Sequence, residues 1–397
     1  MEEPGMTRWV HAIRHGWVVT DRVPGPDVDE FADAAEVVAA LAQSPSGDTL
    51  LAVQHPHRTP AALAGGLSLV DALPAARRAL DRLRASVYRP VVDVVAPYRV
   101  DGPDGMALGV LCLVDPAAVD PGGMSFVRHS EEVYPQVVAE RAAALAGLRC
   151  ATSAAMLVPA SAGERLTAAV AGGIDGIGAP AVSITDSGGR AHQLWLLGPG
   201  TDQDAVLAAA ASSPLLVADG NHRVAAAAVS DRSTLLALVT AGPALRIGAI
   251  HRVLVGTGLR RDDLATAWRR VGLAVHEVHG LGPPMRPGSV VVRACDGDLL
   301  VVLPEPGPGE PMPRIDHALV ERLLIADALG IDPESSQVRA LPAGHPAGPH
   351  VDVVLQLAAV PFADVLAVHE QGRRMPRKST YFTPKPRSGL LLADLTG

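Results

Sequence analysis

The stretch from Pro214 to Val229 constrains the fold more than any other part of the sequence. A short apolar run of strand type ends at Asp219-Gly220 and is followed by an alanine-rich segment typical of a helix. A helix entered in this way exposes its first N–H groups and the positive end of its dipole, and together these favour an anion. The sequence therefore predicts a buried strand, a tight turn and a helix whose first turn is an anion-binding position.

The side chains at this turn suit a phosphate ligand. Arg223 offers a planar fork for phosphate oxygens, and His222 offers a donor that can also move a proton. Gly220 lets a ligand approach the backbone closely, while Asp219 could orient the histidine, act as a base or hold Mg²⁺. An ordinary strand–turn–helix, in which Asp219 simply caps the helix, is the alternative interpretation.

Helices and strands alternate irregularly along the chain. This order favours an α+β fold, with mixed sheets and flanking helices around a central strand–turn–helix, over a doubly wound parallel sheet. The 397 residues are too many for one small core and suggest two to three lobes. We expect an N-terminal α+β lobe over 1–150, a central lobe over 151–275 and a C-terminal α+β lobe over 276–397 that packs back on the centre. The apolar run Leu50–Val53 is predicted to be a strand.

The composition excludes several classes of protein. Apolar residues make up 48% of the chain and charged residues 19%, which argues against disorder. Aromatic residues are only 3% and the formal net charge is −8, so nucleic-acid binding is not favoured. The three cysteines lie far apart, which argues against a disulfide framework or a cysteine zinc site. In the absence of a signal-type start or a long apolar run, we expect a cytoplasmic protein without a membrane partner.

A second segment with the character of a site lies near the C-terminus. Residues 371–389 contain six basic residues and no acidic one, on a chain that is acidic overall. Lys378 and Lys385 are the only lysines of the chain, and the hydroxyl residues Ser379 and Thr380 follow Lys378 directly. A local basic, hydroxyl-rich segment suggests a discrete anion such as phosphate. A solvated basic tail is the simpler alternative.

A third polar segment, Arg128-His129-Ser130-Glu131-Glu132, follows predicted strands in the N-terminal part of the chain. His129 and Glu131 combine an imidazole with a carboxylate, and such a pair could do acid–base chemistry or hold a metal. A plain loop explains the segment equally well.

Two weaker signals complete the set of candidates. Arg252 follows His251 at the start of a predicted strand and repeats the pairing of a cation with an imidazole. His55 and His57 flank a proline but lack a third metal ligand, so we interpret them as part of a turn.

The motifs resemble those of a protein family. LLVADGNHRVAAA is similar to the ADGHHR hallmark of domain-of-unknown-function family 1015, and MPRKSTYFTPKPRSGLLL is similar to its C-terminal MPxKSTYFxPK signature. The segment from His129 lies where that family has a His-Glu pair, followed by a helix that bears an arginine, here Arg141. AIHRVLVG resembles the THR strand of the family, so the resemblance covers essentially the full chain. The chain departs from the family at Asn221, where the second motif residue is a histidine.

The Asp-Gly-x-His-Arg turn also resembles the phosphate-gripping loop of the ParB/sulfiredoxin superfamily, which contains nucleotide-dependent switches and free-serine kinases. This resemblance implies a ParB/sulfiredoxin-like core and a phosphate or nucleotide at the helix after Asp219. It points to a nucleotide-dependent phosphotransferase acting on a small hydroxyl metabolite, in serine metabolism, with ATP or ADP and Mg²⁺ as cofactors. A phosphoserine phosphatase and a non-catalytic nucleotide-binding protein are the alternatives.

This hypothesis assigns a role to each candidate residue. Asp219, His222, His129 and Glu131 are the candidates for catalysis, and Asp219 is also the candidate metal ligand. The candidates for binding phosphate or nucleotide are Gly220, Asn221, Arg223, Arg252, Lys378, Ser379, Thr380 and Lys385. The expected partner is a small phosphate-bearing molecule, and the sequence leaves the oligomeric state open.

Overall fold

The computed structural model describes residues 9–31, 34–44, 47–230, 234–241, 245–307, 309–348 and 350–396. The structure is 32% helical and 30% strand, with several sheets and flanking helices. The predicted α+β class is therefore confirmed. No helix in the described ranges combines the length and the apolar character that a membrane span needs.

The strands, in chain order, have the following bounds: β1 (Val10–His11), β2 (Ile13–Val19), β3 (Tyr88–Val94), β4 (Ala96–Gly102), β5 (Gly105–Val114), β6 (Val127–Arg128), β7 (Cys150–Ala151), β8 (Ala155–Pro159), β9 (Val182–Thr185), β10 (Ala191–Leu194), β11 (Leu215–Asp219), β12 (Leu235–Ala241), β13 (Arg246–Gly248), β14 (Ile250–Val255), β15 (Ala274–Val278), β16 (Ser289–Ala294), β17 (Gly297–Val302), β18 (Val338–Pro342), β19 (Val351–Gln356), β20 (Tyr381–Thr383) and β21 (Leu391–Asp394).

The helices have the following bounds: α1 (Ala34–Ala42), α2 (Leu50–Gln54), α3 (Pro60–Ala64), α4 (Leu69–Val87), α5 (Pro135–Leu148), α6 (Gly163–Asp175), α7 (Thr201–Ala210), α8 (Asn221–Ala228), α9 (Arg261–Arg270), α10 (Asp316–Leu319) and α11 (Phe362–Glu370). Short 3₁₀ turns lie at Val28–Glu30 and Pro56–Arg58, and α10 continues as a π-helix over Val320–Asp327. The predicted turn at His55 and His57 corresponds to the second of these 3₁₀ turns.

The chain forms two compact units, each built from segments that are not consecutive in the sequence. Unit 1 contains residues 1–129, 133–246 and 383–397, and unit 2 contains residues 130–132 and 247–382. This division differs from the three consecutive lobes expected from the sequence. The C-terminal segment from Thr383 belongs to unit 1, although the residues directly before it belong to unit 2.

Unit 1 is organised around two sheets. The nine-stranded sheet has the order β6-β11-β8-β12-β5-β4-β10-β9, with β1 paired to β5. The four-stranded sheet has the order β3-β2-β21-β7, so the C-terminal strand lies inside it. Because β21 is bonded on both sides, this strand is fixed within unit 1.

The strand–turn–helix predicted over 214–229 is present in unit 1. β11 pairs antiparallel with β8 and parallel with β6, and its first four residues are buried. A strand that is covered on both faces has apolar residues at consecutive positions, and the sequence of β11 shows this pattern. α8 begins directly after Gly220 and buries Val224, Ala226 and Ala227.

The prediction of a strand over Leu50–Val53 is wrong, because these residues form most of α2. The side chain of Thr49 accepts a hydrogen bond from the backbone N–H of Ala52 at 3.2 Å and so caps this helix. All four apolar residues are buried, and full burial removes the alternation that would distinguish a short helix from a strand.

Unit 2 contains a six-stranded sheet with the order β15-β17-β16-β19-β14-β18. Its core includes Trp268 on α9, which is fully buried and donates from Nε1 to the backbone carbonyl of Leu324 at 3.0 Å. Leu254 and Leu355 of the sheet belong to the same buried cluster. The unit therefore has its own hydrophobic core.

A buried histidine lies in unit 2 at the start of α10. His317 is 1% exposed, and its Nε2 donates to the backbone carbonyl of Ile250 at 2.8 Å. Its Nδ1 atom is buried and has no hydrogen-bond partner in the described structure. Burial, and to a smaller extent the neighbouring Arg252 guanidinium, lowers the pKa of His317 to about 3.

This depressed pKa predicts a pH dependence of stability. Between pH 6.5 and about 3 the unfolded chain binds a proton at His317 that the folded chain excludes, so stability is full above pH 6.5 and falls as the pH falls. One such proton contributes about 1.4 kcal/mol per pH unit. In urea titrations from pH 7 to pH 5, we expect His317→Gln to flatten the slope of the unfolding free energy of unit 2 by up to one proton. Equal slopes in the two proteins would contradict the prediction.

Candidate functional site

The Asp219 carboxylate lies at the centre of the corner between β11 and α8 and contacts two cations. Its Oδ2 accepts a hydrogen bond from the Arg223 guanidinium, and its Oδ1 lies 2.8 Å from Nζ of Lys385. All three side chains are partly buried, with exposed fractions of 25%, 28% and 20% for Asp219, Arg223 and Lys385. Asp219 and Lys385, which are 166 residues apart in the sequence, therefore meet in unit 1.

Gly220 makes room for the Arg223 side chain. Its φ angle is +93°, and a Cβ atom at this position would lie 2.7 Å from Nε of Arg223. The guanidinium folds back over the turn and also donates from Nη1 to the backbone carbonyl of Ala154 at 2.7 Å. Only glycine combines this backbone angle with an unobstructed approach of the guanidinium.

The first two residues of α8 hold two other segments in place. Nδ1 of His129 donates to Oδ1 of Asn221 at 3.2 Å, since an amide oxygen can only accept. The backbone N–H of Tyr134 donates to Nε2 of His222 at 3.1 Å, and the two rings are stacked with centroids 5.9 Å apart. These bonds fix the protonated nitrogen of a neutral ring as Nδ1 in both histidines.

Lys385 reaches Asp219 because residues 383–389, here called the strap, are anchored at both ends. Thr383 donates its hydroxyl to the Asp104 carboxylate at one end. At the other end the Arg387 guanidinium lies 3.3 Å from the Asp27 carboxylate and 3.0 Å from Glu30. The strap is therefore held by polar contacts on either side of Lys385.

A buried chain of hydrogen bonds supports the middle of the strap. The backbone N–H of Arg387 donates to the hydroxyl of Tyr98 at 3.1 Å, and that hydroxyl lies 2.6 Å from Nδ1 of His192. Nε2 of His192 in turn lies 3.1 Å from the Asp186 carboxylate. Tyr98 and His192 are both 1% exposed, so this network fixes the strap from inside unit 1.

Glu131 lies in unit 2 and binds the other C-terminal candidates. Its carboxylate accepts from the backbone N–H groups of Lys378 and Ser379 at 3.0 and 3.3 Å, and from the Thr380 hydroxyl at 3.4 Å. Ser379 is fully buried and its hydroxyl donates to Pro376 at 2.7 Å. These amides and hydroxyls are thus used within the protein, whereas the Lys378 side chain is exposed.

Arg252 also holds the loop that carries Lys378. It is 2% exposed, pairs with Glu321 at 2.7 Å, and donates to the backbone carbonyls of Arg377 and Lys378 at 2.9 and 3.0 Å. The guanidinium is therefore occupied by the protein. Its geometry suits the positioning of the loop, and we do not include it among the residues proposed to contact a ligand.

Two arginines that the sequence candidates omit lie in unit 1. Arg141 is on α5, seven residues after the N-cap residue Tyr134, and this spacing of about two turns places both residues on one face of the helix. Arg58 ends a 3₁₀ turn and donates from Nε to Nε2 of His57 at 3.2 Å. The helix bearing Arg141 was noted only through the family resemblance, and Arg58 carries no signal among so many arginines.

The donor set at Asp219 does not fit a metal ligand. Both carboxylate oxygens contact cations, and a metal would have to displace Arg223 or Lys385. No group of three or more metal-binding side chains occurs in the ranges that the structure describes. The amide-rich, cationic start of α8 fits a phosphate group instead, since phosphate is bound by such elements without a protein-held metal.

Comparisons with known proteins give distant structural neighbours. They include a conserved hypothetical protein from Pyrococcus furiosus, with 11% identity over 70% of this chain and 95% of that chain at a TM-score of 0.38. A free serine kinase in complex with AMP has 11% identity over 70% of this chain and 92% of that chain at a TM-score of 0.37. SbnI from Staphylococcus aureus, with a C-terminal truncation, has 13% identity over 72% of this chain and 89% of that chain at a TM-score of 0.41.

No curated protein matches the chain. A family model described as a protein of unknown function, DUF1015, matches residues 95–306, which is more than half of the 397 residues. The matched range contains the corner from Asp219 to Arg223 and ends before Lys378. The resemblance inferred from the sequence motifs is confirmed at the level of the family: the chain belongs to the DUF1015 family.

Proposed function

We propose that this protein is a nucleotide-dependent phosphotransferase that acts on a small hydroxyl metabolite, with a serine-kinase-like activity. The observation that carries the proposal is the corner of unit 1, where Arg223 and Lys385 both contact Asp219 beside the first turn of α8. Phosphoryl transfer depends mainly on positioning and on cations around the transferred group. A site of this composition supplies both.

The phosphate would be held by the N–H groups at the start of α8. Because Gly220 has no side chain, the Arg223 guanidinium lies directly against this helix end, where it would meet a phosphate oxygen bound by the N–H groups. Lys385 and Arg223 lie on the Asp219 side of the corner and would shift towards a phosphate as Asp219 and the phosphate compete for them. The nucleotide supplies the phosphoryl group and brings its own Mg²⁺ from solution.

We assign to His129 the role of accepting the proton of the substrate hydroxyl. With Nδ1 donating to Asn221, a neutral His129 carries its basic lone pair on Nε2. His222 is less suited, because Nε2 accepts from the backbone of Tyr134. In the transfer step a bond forms between the hydroxyl oxygen and phosphorus, the bond from phosphorus to the nucleotide oxygen breaks, and the hydroxyl proton passes to His129.

The test combines calorimetric titration with AMP, ADP and ATP and ³¹P NMR of mixtures that contain nucleotide, Mg²⁺ and L-serine. We expect binding of at least one nucleotide and the appearance of phosphoserine. His129→Gln should lower the transfer rate by a factor of 100 or more while the nucleotide affinity changes less than threefold. Arg77→Gln, which removes an exposed cation of α4, is the matched control and should change neither quantity.

Three outcomes would overturn the phosphotransferase. Release of phosphate from phosphoserine without nucleotide would identify a phosphatase. Nucleotide binding without product after long incubation would identify a non-catalytic binding protein. Absence of both binding and product would show that the corner holds no nucleotide.

A further inference from the structure

A cluster of basic side chains in unit 1 has no counterpart in the activity described so far. It consists of Arg58 and Arg141 with the imidazoles of His55 and His57, whose ring centroids are 6.3 Å apart. The turn that carries Arg58 and the helix α5 that carries Arg141 both pack against α4, and α5 also packs against α8. The cluster is thus connected to the corner through one helix.

The charge of this cluster is not balanced by the protein. Within the described residues, the Arg141 guanidinium has no hydrogen-bond or ion-pair partner, and Arg58 bonds only to the neutral ring of His57. Among the described residues, the carboxylate that acts electrostatically on the group is that of Glu140; Glu140 and Arg141 are both exposed, so solvent screens the attraction between them. Unbalanced guanidinium groups repel each other, and proteins tolerate that repulsion where an anion binds.

The positive charges of the cluster also lower the pKa values of the basic groups within it. Burial, and then the positive charges of Arg141 and Arg58, lowers the pKa of His55 to about 3. The pKa of Arg141 is also lowered, first by its loss of solvent and then by the neighbouring Arg223. Arg141 is therefore electrostatically coupled to the corner residue as well as to Arg58.

His57 adds an orphaned donor to the cluster. Because its Nε2 accepts from Arg58, the proton of the neutral ring lies on Nδ1. That Nδ1 atom is buried and has no partner in the described structure. A buried N–H group without an acceptor is rare and costs stability, so its presence beside two guanidinium groups indicates that an acceptor is missing.

We propose that Arg58 and Arg141 form a second anion subsite, which binds a second anionic group of the ligand whose phosphate lies at α8. The ligand class is therefore a molecule with two anionic groups, either a diphosphate or a phosphate ester that also carries a carboxylate. The inference rests on the proposed function in placing the first group at α8, whereas the existence of the Arg58–Arg141 subsite does not depend on catalysis.

The test compares ligands with one and with two anionic groups. Affinities for orthophosphate, pyrophosphate, AMP, ADP and O-phosphoserine are measured by calorimetry at fixed salt for the full chain and for Arg141→Gln, Arg58→Gln and the control Arg77→Gln. We expect Arg141→Gln to weaken binding of the ligands with two anionic groups about 10- to 100-fold, as loss of a charged hydrogen bond does. The affinity for orthophosphate should change less than threefold. Preference for pyrophosphate and ADP identifies a diphosphate, and preference for O-phosphoserine identifies the carboxylate.

The subsite would be overturned if Arg141→Gln lowered the affinities for ligands with one and with two anionic groups equally, or lowered neither. Gly220→Ala separates this inference from the proposed function, because it obstructs the corner without touching Arg58 or Arg141. If Gly220→Ala leaves orthophosphate binding intact while Arg141→Gln abolishes pyrophosphate binding, the subsite stands and the placement of phosphate at α8 fails. If the unmodified protein binds none of pyrophosphate, ADP and O-phosphoserine more tightly than orthophosphate, the subsite fails.

Discussion

Replacing Arg252 by alanine is expected to lower the unfolding free energy of unit 2 by about 3–5 kcal/mol, as removal of one partner from a buried ion pair does. Arg252 is 2% exposed, and its loss leaves the Glu321 carboxylate without its cation. The carbonyls of Arg377 and Lys378 lose their donors at the same time.

The same substitution should loosen the loop that carries Lys378. Glu131 would still hold the loop from the other side, through the N–H groups of Lys378 and Ser379. Hydrogen exchange of a peptide spanning 376–380 should therefore accelerate, while peptides of β11 and α8 in unit 1 remain protected. Hydrogen exchange of a peptide containing Trp268, followed across a denaturant series, reports the unit 2 transition, since Trp9, Trp17 and Trp195 of unit 1 also contribute to tryptophan fluorescence.

Two variants distinguish the ion pair from the loop contacts. Arg252→Lys keeps the charge next to Glu321 but cannot bridge to two carbonyls, so we expect it to lose about half as much stability as the alanine variant. Arg286→Ala removes an exposed arginine of unit 2 and is the control, with an expected change below about 0.5 kcal/mol. An Arg252→Ala protein that unfolds like this control would contradict the positioning role.

Local sequence signals were sufficient for the corner itself. The apolar run before Asp219, the glycine at 220 and the alanine-rich segment after Arg223 each determine one element by short-range physics. A buried strand needs apolar residues on both faces, a left-handed turn needs glycine, and alanine favours a helix. These requirements act over a few residues, so they can be recognised in one sequence.

The partners of the corner residues could not be predicted in the same way. Lys385 reaches Asp219 only because Thr383 and Arg387 anchor the strap on either side of it, and those contacts depend on tertiary structure. Glu131 was a candidate from its own polar segment, but nothing in that segment indicates that its partners are Lys378 and Ser379, far along the chain. The sequence analysis grouped all these polar and basic residues into one proposed site because their side chains suit the same ligand. In the structure, Asp219 and Lys385 belong to unit 1, whereas Glu131 and Lys378 belong to unit 2.

Arg141 and Leu50–Val53 show two other reasons for failure. Arginine supplies 32 of the 34 lysine and arginine residues, so its residue type alone does not distinguish a functional arginine from the others. Leu50–Val53 is apolar at every position, and a run of this kind has no periodicity to separate a short helix from a strand. In both cases the deciding information is the set of neighbours, which the sequence does not contain.

Asp219→Asn is expected to bind phosphate more tightly than the unmodified protein. Asp219 and a phosphate at α8 would both be anions beside Arg223 and Lys385, so they compete for the same cations. Two like charges about 7 Å apart repel by roughly 2 kcal/mol at an effective dielectric constant near 20. Removal of the carboxylate charge should therefore raise orthophosphate affinity about tenfold or more.

The substitution should also lower stability, because Arg223 and Lys385 lose their counter-charge. Since these side chains are 28% and 20% exposed, solvent screens part of the loss, and we expect about 1–3 kcal/mol. Lys385 offers a direct measurement, because Lys378 is the only other lysine of the chain. Reductive ¹³C-methylation of lysines should label exposed Lys378 first, and Asp219→Asn should accelerate labelling of Lys385 alone.

Lys385→Met is the matched variant, since it removes one cation and keeps the carboxylate. It should weaken orthophosphate binding, whereas Asp219→Asn strengthens it, and the two substitutions combined should give an intermediate affinity if both act through the same charge balance. An Asp219→Asn protein with weaker phosphate binding would mean that the carboxylate organises the cations for the ligand rather than competing with it. In that case Arg223 and Lys385 would need Asp219 to hold their binding geometry, and the strap alone would not be sufficient to place Lys385.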